Sequence, residues 1–185
     1  MQTAAAQTRP DASPSRRYSL DDLMRYSYEE LEAMYRAAPI PTTLRAADGV
    51  LVGRMLAWRG QRGLATRLMH RIALSPSFAW QGKTLSAHDD RTGTGYNRVN
   101  LGGFLGRQHI FHFDSRIEAS LHDGRPTIVI DYDRPANPWW MRHVHDEIRM
   151  LEPGLFLGLD LWRSATRSTG LVWFALDGRQ GTRST

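Results

Sequence analysis

Cysteine is missing from the 185-residue chain. Its absence excludes disulfide staples, thiolate metal sites and a cysteine nucleophile, and leaves the redox compartment open. Lysine is almost missing: Lys83 is the one lysine among 24 basic residues, and the rest are arginine. No apolar run reaches the roughly 18 residues that a membrane-spanning helix needs. The start, Met1-Gln-Thr-Ala-Ala-Ala-Gln-Thr-Arg-Pro10, lacks the apolar stretch of a secretory signal. A cytoplasmic location is the expectation.

What is present is globular in composition, with 41% hydrophobic and 23% charged residues. The length suits one domain, over residues 18–180, preceded by a flexible tail over 1–17 that is too poor in apolar residues to order itself. The formal net charge is +5. An arginine fork suits phosphate and carboxylate partners. These arginines are scattered from Arg9 to Arg183 without a dense run, which argues against nucleic acid as the partner.

Two helix starts carry capping signals, Ser19-Leu-Asp-Asp22 and the capping box Ser27-Tyr-Glu-Glu30. The second predicts a helix with Leu31, Met34 and Tyr35 on one face, ending before Pro39. The segment Gly49–Trp58 reads as a first strand, and Gly60–Leu74 has a helical period through Leu64, Leu68 and Ile72. Further strands are expected at Phe78–Leu85, Asn97–Leu101, Gln108–Asp114, Arg116–His122, Thr127–Asp133, Leu155–Trp162 and Leu171–Asp177. Turn residues separate most of them, among them Arg91-Thr-Gly-Thr-Gly95, Gly102-Gly103 and His122-Asp-Gly124. A further helix is expected from Asn137, with Pro138 at its first position and Trp140, Val144, Ile148 and Leu151 on one face. Strands such as Leu155–Trp162 are apolar on both faces, which suits a barrel with an apolar interior. The expected fold is α+β and mainly β, an antiparallel meander or small barrel of about eight strands with three covering helices.

Several constellations carry candidate chemistry. On the expected late helix, His143 and Glu147 lie four apart and would share a face, as two metal ligands do. With no H-E-x-x-H pattern the plainer reading is a polar helix face, and no metal is expected. Asp131 and Asp133 share a strand face, and their mutual repulsion would raise one pKa toward the range of acid–base work. In His109-Ile-Phe-His112-Phe-Asp114, His112 and Asp114 fall on one face and His109, Phe111 and Phe113 on the other. If the phenylalanines pack outward, the His–carboxylate pair enters the barrel. Gly102-Gly103-Phe-Leu-Gly106 is no phosphate loop, and reads as a hairpin turn or a flap over a barrel mouth. Of the tandem Trp139-Trp140, Trp140 is expected buried and Trp139 free to line a pocket or touch a partner.

The helix Leu31-Glu-Ala-Met-Tyr-Arg-Ala-Ala-Pro39, the strand glycines Gly49 and Gly53, the element Trp80-Gln-Gly-Lys83 and the turn Asp123-Gly-Arg-Pro126 resemble the bacterial GXWXG-type proteins of unknown function. Leu51 stands where that motif has tryptophan. The strand succession resembles the calycin group of lipocalin-like barrels, and that resemblance implies binding of apolar molecules. No cofactor is expected.

The leading expectation is therefore a non-enzymatic barrel holding a small apolar or amphipathic, lipid-like ligand. Trp80, Phe111, Trp139, Trp162, Trp173 and Phe174 would form its wall, with Arg54, Arg98 or Arg116 meeting an acidic headgroup. The alternative is a cofactor-free acid–base enzyme (isomerase, lyase or cyclase) that uses the same cavity, with Asp131, Asp133 and His112 as proton carriers. A homodimer through a strand edge or Trp139 is a third expectation.

Overall fold

A computed structural model describes residues 18–60 and 79–179 and shows eight antiparallel strands closed into one barrel. In chain order they are β1 (Gly49–Trp58), β2 (Trp80–Ala87), β3 (Thr92–Asn100), β4 (Arg107–Ala119), β5 (Pro126–Asp131), β6 (Val144–Glu152), β7 (Leu155–Arg163) and β8 (Ser168–Asp177). Each pairs with its neighbour in sequence, and β8 pairs back onto β1, so no strand edge is left open. Two α-helices precede the barrel, α1 (Leu20–Leu23) and α2 (Tyr28–Ala37). Ser19 and Ser27 cap them, each in a complete capping box with Asp22 and Glu30 respectively.

The double-sided apolarity of the strands has two causes, one for each face. Inward-facing Leu51, Leu85, Phe113, Ile128, Phe156 and Leu176 fill one half of the barrel, and Leu44 from the 3-10 turn Leu44–Ala47 plugs that end. Outward-facing Leu157, Leu159, Leu161 and Trp173 are buried beneath α1 and α2, which bring Leu23, Leu31 and Tyr35 onto them. Each such fully buried side chain contributes about 1.5–3 kcal/mol of apolar transfer. Glycines make room for the large inner residues. A β-carbon on Gly95 would lie 2.4 Å from Cζ of Phe113, and one on Gly158 would lie 2.3 Å from Cζ of Phe174.

The sequence expectations are corrected at several places. The segment expected as a helix from Asn137 is a 3-10 turn, Met141–His143, followed by β6. The two strands expected at Gln108–Asp114 and Arg116–His122 are one continuous strand, β4. Gly93 and Gly95 lie inside β3 rather than in a turn, because Gly95 is the site of close approach by Phe113. The helix expected at Gly60–Leu74 falls almost wholly outside the described residues. Among the described residues two α-helices cover the barrel.

Candidate functional site

The half of the barrel away from Leu44 is hollow. A cavity of about 490 Å³ opens there, walled by Met55, Val99, Ile110, Phe111, Trp140 and Val144, with Trp80 and Phe174 deeper in. That volume lies within the usual range for small-molecule sites. Trp80 and Phe174 meet edge to face at 5.8 Å, as do Phe111 and Trp140 at 5.3 Å. Phe111 sits where β4 bulges against β3, with φ of 54°, a left-handed backbone rare for an aromatic residue. The bulge brings Ile110 and Phe111, neighbours in sequence, both to the cavity wall.

Polar side chains gather at the inner end of this apolar chamber. Lys83 of β2 is 3% exposed. Its ammonium donates to Asn97 Oδ1 at 2.9 Å, to Asp146 Oδ2 at 2.8 Å and to the Tyr132 hydroxyl. Four rings surround that ammonium, those of Trp80, Phe113, Tyr132 and Phe174, with centroids 5.1 to 5.7 Å away. The Trp80 indole N–H donates to Asn97 Oδ1 at 2.9 Å, and Asn97 Nδ2 donates to the Tyr132 oxygen at 2.9 Å. The Tyr132 hydroxyl in turn donates to Asp146 Oδ2 at 3.0 Å. These bonds use all three ammonium protons and nearly all the capacity of Asn97 and Tyr132.

Three carboxylate oxygens are left over, Asp146 Oδ1 and both oxygens of Asp160. Asp146 on β6 and Asp160 on β7 are directly opposed cross-strand partners, and both line the cavity. The Oδ1 atoms of both are inaccessible to solvent and have no hydrogen-bond partner among the described residues. Like charges opposed on one sheet face repel, and one lysine compensates one carboxylate. Burial first, then the charge of Asp146, push the Asp160 carboxyl up to about 8, with Lys83 opposing. The Tyr132 hydroxyl is pushed well above its ordinary value by burial and by Asp146, so it keeps its proton.

The sequence-derived site residues divide between this cavity and the outer surface. Trp80, Phe111 and Phe174 line the cavity. Trp173 is fully buried on the outer face, against Tyr28 and Tyr35 of α2. Trp162 stacks on His143 at the rim. Trp139 is 72% exposed and borders a separate, more open groove with Asp131, Asp133, Arg142 and Arg163. Trp140, expected buried, is 41% exposed and supplies the aromatic wall that was expected of Trp139.

The arginines and proton carriers lie outside the barrel. Arg54 faces Asp21 of α1 at 3.6 Å. Arg98 alternates with cavity-facing Asn97 and Val99, and so points outward. Arg116 binds Glu118 and Asp131. Asp131 is clamped by Arg163 at 3.0 Å and Arg116 at 3.2 Å. Burial pushes its carboxyl up, but the bonds from Arg163, the Asp133 amide and Arg116 outweigh this and hold it below the usual range, opposite to the expectation. Asp133 pairs with Arg142 on the surface. His112 and Asp114 are exposed, because Phe111 and Phe113 face inward rather than outward.

His143 and Glu147 do not come together, since the segment is a strand. His143 is at the rim, while Glu147 is buried under α2 with Ser120 and Tyr35. Among the described residues no group of three His, Asp or Glu side chains is placed to hold a metal ion.

Sequence reasoning missed Lys83, Asn97, Tyr132, Asp146 and Asp160. Two signals were available: the only lysine of an arginine-rich chain, and a lone aspartate in the apolar run Leu155–Trp162. In the comparisons with known proteins, no family model, no curated protein and no solved structure matches this chain.

Proposed function

We propose that the protein binds a small amphipathic molecule inside the barrel and does so without catalysis. One observation carries this reading. The barrel is packed solid at one end, while at the other it leaves about 490 Å³ walled by aromatic and aliphatic side chains over a few polar groups. Small barrels often fill their interiors with side chains, so a chamber kept open between Trp80, Phe111, Trp140 and Phe174 is a departure from the simplest packing. An apolar shell with convergent polar groups at one end is the usual composition of a small-molecule site. Exposed Leu101 and Trp140 make the mouth apolar as well.

The test uses N-phenyl-1-naphthylamine, a neutral amphipathic fluorophore, together with native mass spectrometry of freshly purified protein. Fluorescence enhancement that saturates at one probe per chain is expected. Val99→Trp, which places a large ring in the chamber, should weaken the probe at least tenfold while circular dichroism shows an intact barrel. A folded protein that neither enhances the probe nor carries an extractable mass overturns the proposal, as does a Val99→Trp protein that binds unchanged.

A second reading is favoured by Asp160. A carboxyl that titrates near 8 inside an apolar chamber is a suitable general acid for a cofactor-free isomerase, lyase or cyclase. In that reading the proton carrier is Asp160, with Tyr132 and Lys83 beside it, and not the outward-facing Asp131, Asp133 or His112. A ligand extracted from the protein and returned to fresh protein decides between the two. Recovery unchanged supports the binder, and conversion that Asp160→Asn abolishes supports the enzyme.

A further inference from the structure

We infer that the cavity selects ligands with a protonated amine, which pairs with the unbonded Asp160 carboxylate beside Asp146, with its apolar part against Trp80, Phe111 and Trp140. The inference rests on the proposed ligand-binding role of the cavity and specifies the chemistry of the molecule held there.

The argument begins with the charges inside the barrel. Lys83, Asp146 and Asp160 are the ionisable groups on the cavity wall that carry charge near neutral pH, and with both carboxylates ionised they sum to one negative charge. Lys83 spends its three protons on Asn97, Tyr132 and Asp146 Oδ2 and has none left for Asp160. The Asp160 carboxylate makes no hydrogen bond or ion pair with any described residue, although Asp146 stands directly across the ladder from it. An acceptor in that state needs either a proton or a cation.

The hydrogen-bond inventory gives the same answer. All the polar atoms of the cluster except Asp146 Oδ1 and the two Asp160 oxygens are already paired, and an ionised carboxylate only accepts. The chamber therefore calls for a donor. An ammonium group offers three donors and the missing positive charge together. A carboxylate or phosphate would meet two acidic side chains and a lysine with no free proton. The acidic headgroup expected from the sequence does not suit this interior, because Arg54, Arg98 and Arg116 all stand outside it.

Proton linkage makes the inference measurable. Lys83 from β2, Asp146 from β6 and Tyr132 after β5 face Asp160, while β1 and β8 present Met55 and Phe174, which do not titrate. An ammonium that binds ionised Asp160 must displace its proton below about pH 8. Amine affinity should then fall toward tenfold for each pH unit below 8, and level off above it.

The experiment compares 4-phenylbutylamine, 4-phenylbutan-1-ol and 4-phenylbutanoic acid by isothermal titration calorimetry from pH 6 to 9. At pH 8 the amine should bind at least tenfold more tightly than the alcohol, and the acid should be weakest. Titration at pH 7 in two buffers of different ionisation enthalpy should show close to one proton released per amine bound. Asp160→Asn should abolish the proton release and remove the amine's advantage over the alcohol. Alcohol binding equal to the amine, or a preference for the acid, overturns the inference and leaves the cavity as a binding site. If none of the three binds the folded protein, the inference fails, and the failure belongs to the cavity reading when N-phenyl-1-naphthylamine is also refused.

Discussion

Asp146 and Asp160 face each other across β6 and β7, and Lys83 compensates one of the two charges, so the barrel holds Asp160 at a cost. In the unfolded chain this carboxyl gives up its proton near pH 4; in the fold, burial and Asp146 push it up to about 8. Below pH 4 both states are protonated and there is no penalty. Between 4 and 8 the folded state keeps a proton that the unfolded state has lost. Stability therefore falls with rising pH by about 1.4 kcal/mol per pH unit, until the slope levels above 8. Asp160→Asn removes that dependence. It should raise the melting temperature, most at pH 8–9, by roughly 2–4 °C for each kcal/mol recovered. Lys83→Met should do the reverse, since it leaves Asp146 buried without its counter-charge, at a cost of about 3–5 kcal/mol. Differential scanning calorimetry at pH 5 and 8.5 checks both, and an Asp160→Asn protein no more stable than the parent at pH 8.5 would remove the basis of the argument.

Helix α2 is fastened to the barrel by polar contacts as well as by Leu31. Arg149 on the outer face of β6 is completely buried and grips both oxygens of Asp123 at 2.7 Å. It also donates to the Tyr35 carbonyl at the end of α2, and its guanidinium lies 4.2 Å from the Tyr35 ring centroid. The Tyr35 hydroxyl continues the network, to Thr127 at 2.9 Å and Glu147 at 3.2 Å. Hydrogen bonds from Arg149, which outweigh burial, hold the Asp123 carboxyl well below the usual range. A depressed carboxyl stabilises the fold above its unfolded pKa, and that stability is lost as pH falls below about 4. Arg149→Met leaves Asp123 without its partner and should cost about 3–5 kcal/mol in urea unfolding at pH 7. The deficit should shrink at pH 3, where the unfolded carboxyl is largely protonated, so equal deficits at both pH values would show that packing alone explains the loss.

The same strand shows why the sequence misled at this scale. Trp140, Val144 and Ile148 recur every four residues, and four is a multiple of the strand period as well as close to that of a helix. The pattern could not separate the two, and Asn137-Pro138 tipped the reading toward a helix. With strand alternation, Val144, Asp146 and Ile148 face inward and His145, Glu147 and Arg149 face α2, and that alternation would have exposed the site. In β4 the alternation was read correctly on either side of a fault. The bulge at Phe111 shifts parity between His109 and Phe113, and no residue type in the run announces it.

At the scale of the molecule, the antiparallel barrel class was legible because turn residues and double-sided apolarity recur along the chain. The count of eight agrees only because splitting β4 in two offset the reading of β6 as a helix. Which half of the barrel is solid was not legible, because it depends on where Leu44 and the phenylalanines meet in space. The separation of charge was equally hidden. The chain carries a net +5, yet among the described residues the charges outside the cavity balance, with 16 arginines against 16 carboxylates. Inside, two carboxylates outnumber one lysine. Among these residues the attraction for a cationic ligand therefore lies inside the barrel and not on its outer face. Salt screens exposed charges, over a Debye length of about 10 Å at 0.1 M, and acts much less on a pair formed inside the barrel. Stopped-flow tryptophan fluorescence with 4-phenylbutylamine should accordingly show association and dissociation rates that each change less than about twofold from 10 to 300 mM salt. An association rate that fell severalfold with salt would mean that outer carboxylates such as Asp131 and Asp133 steer the amine inward, and one that rose severalfold would mean that outer arginines oppose its entry.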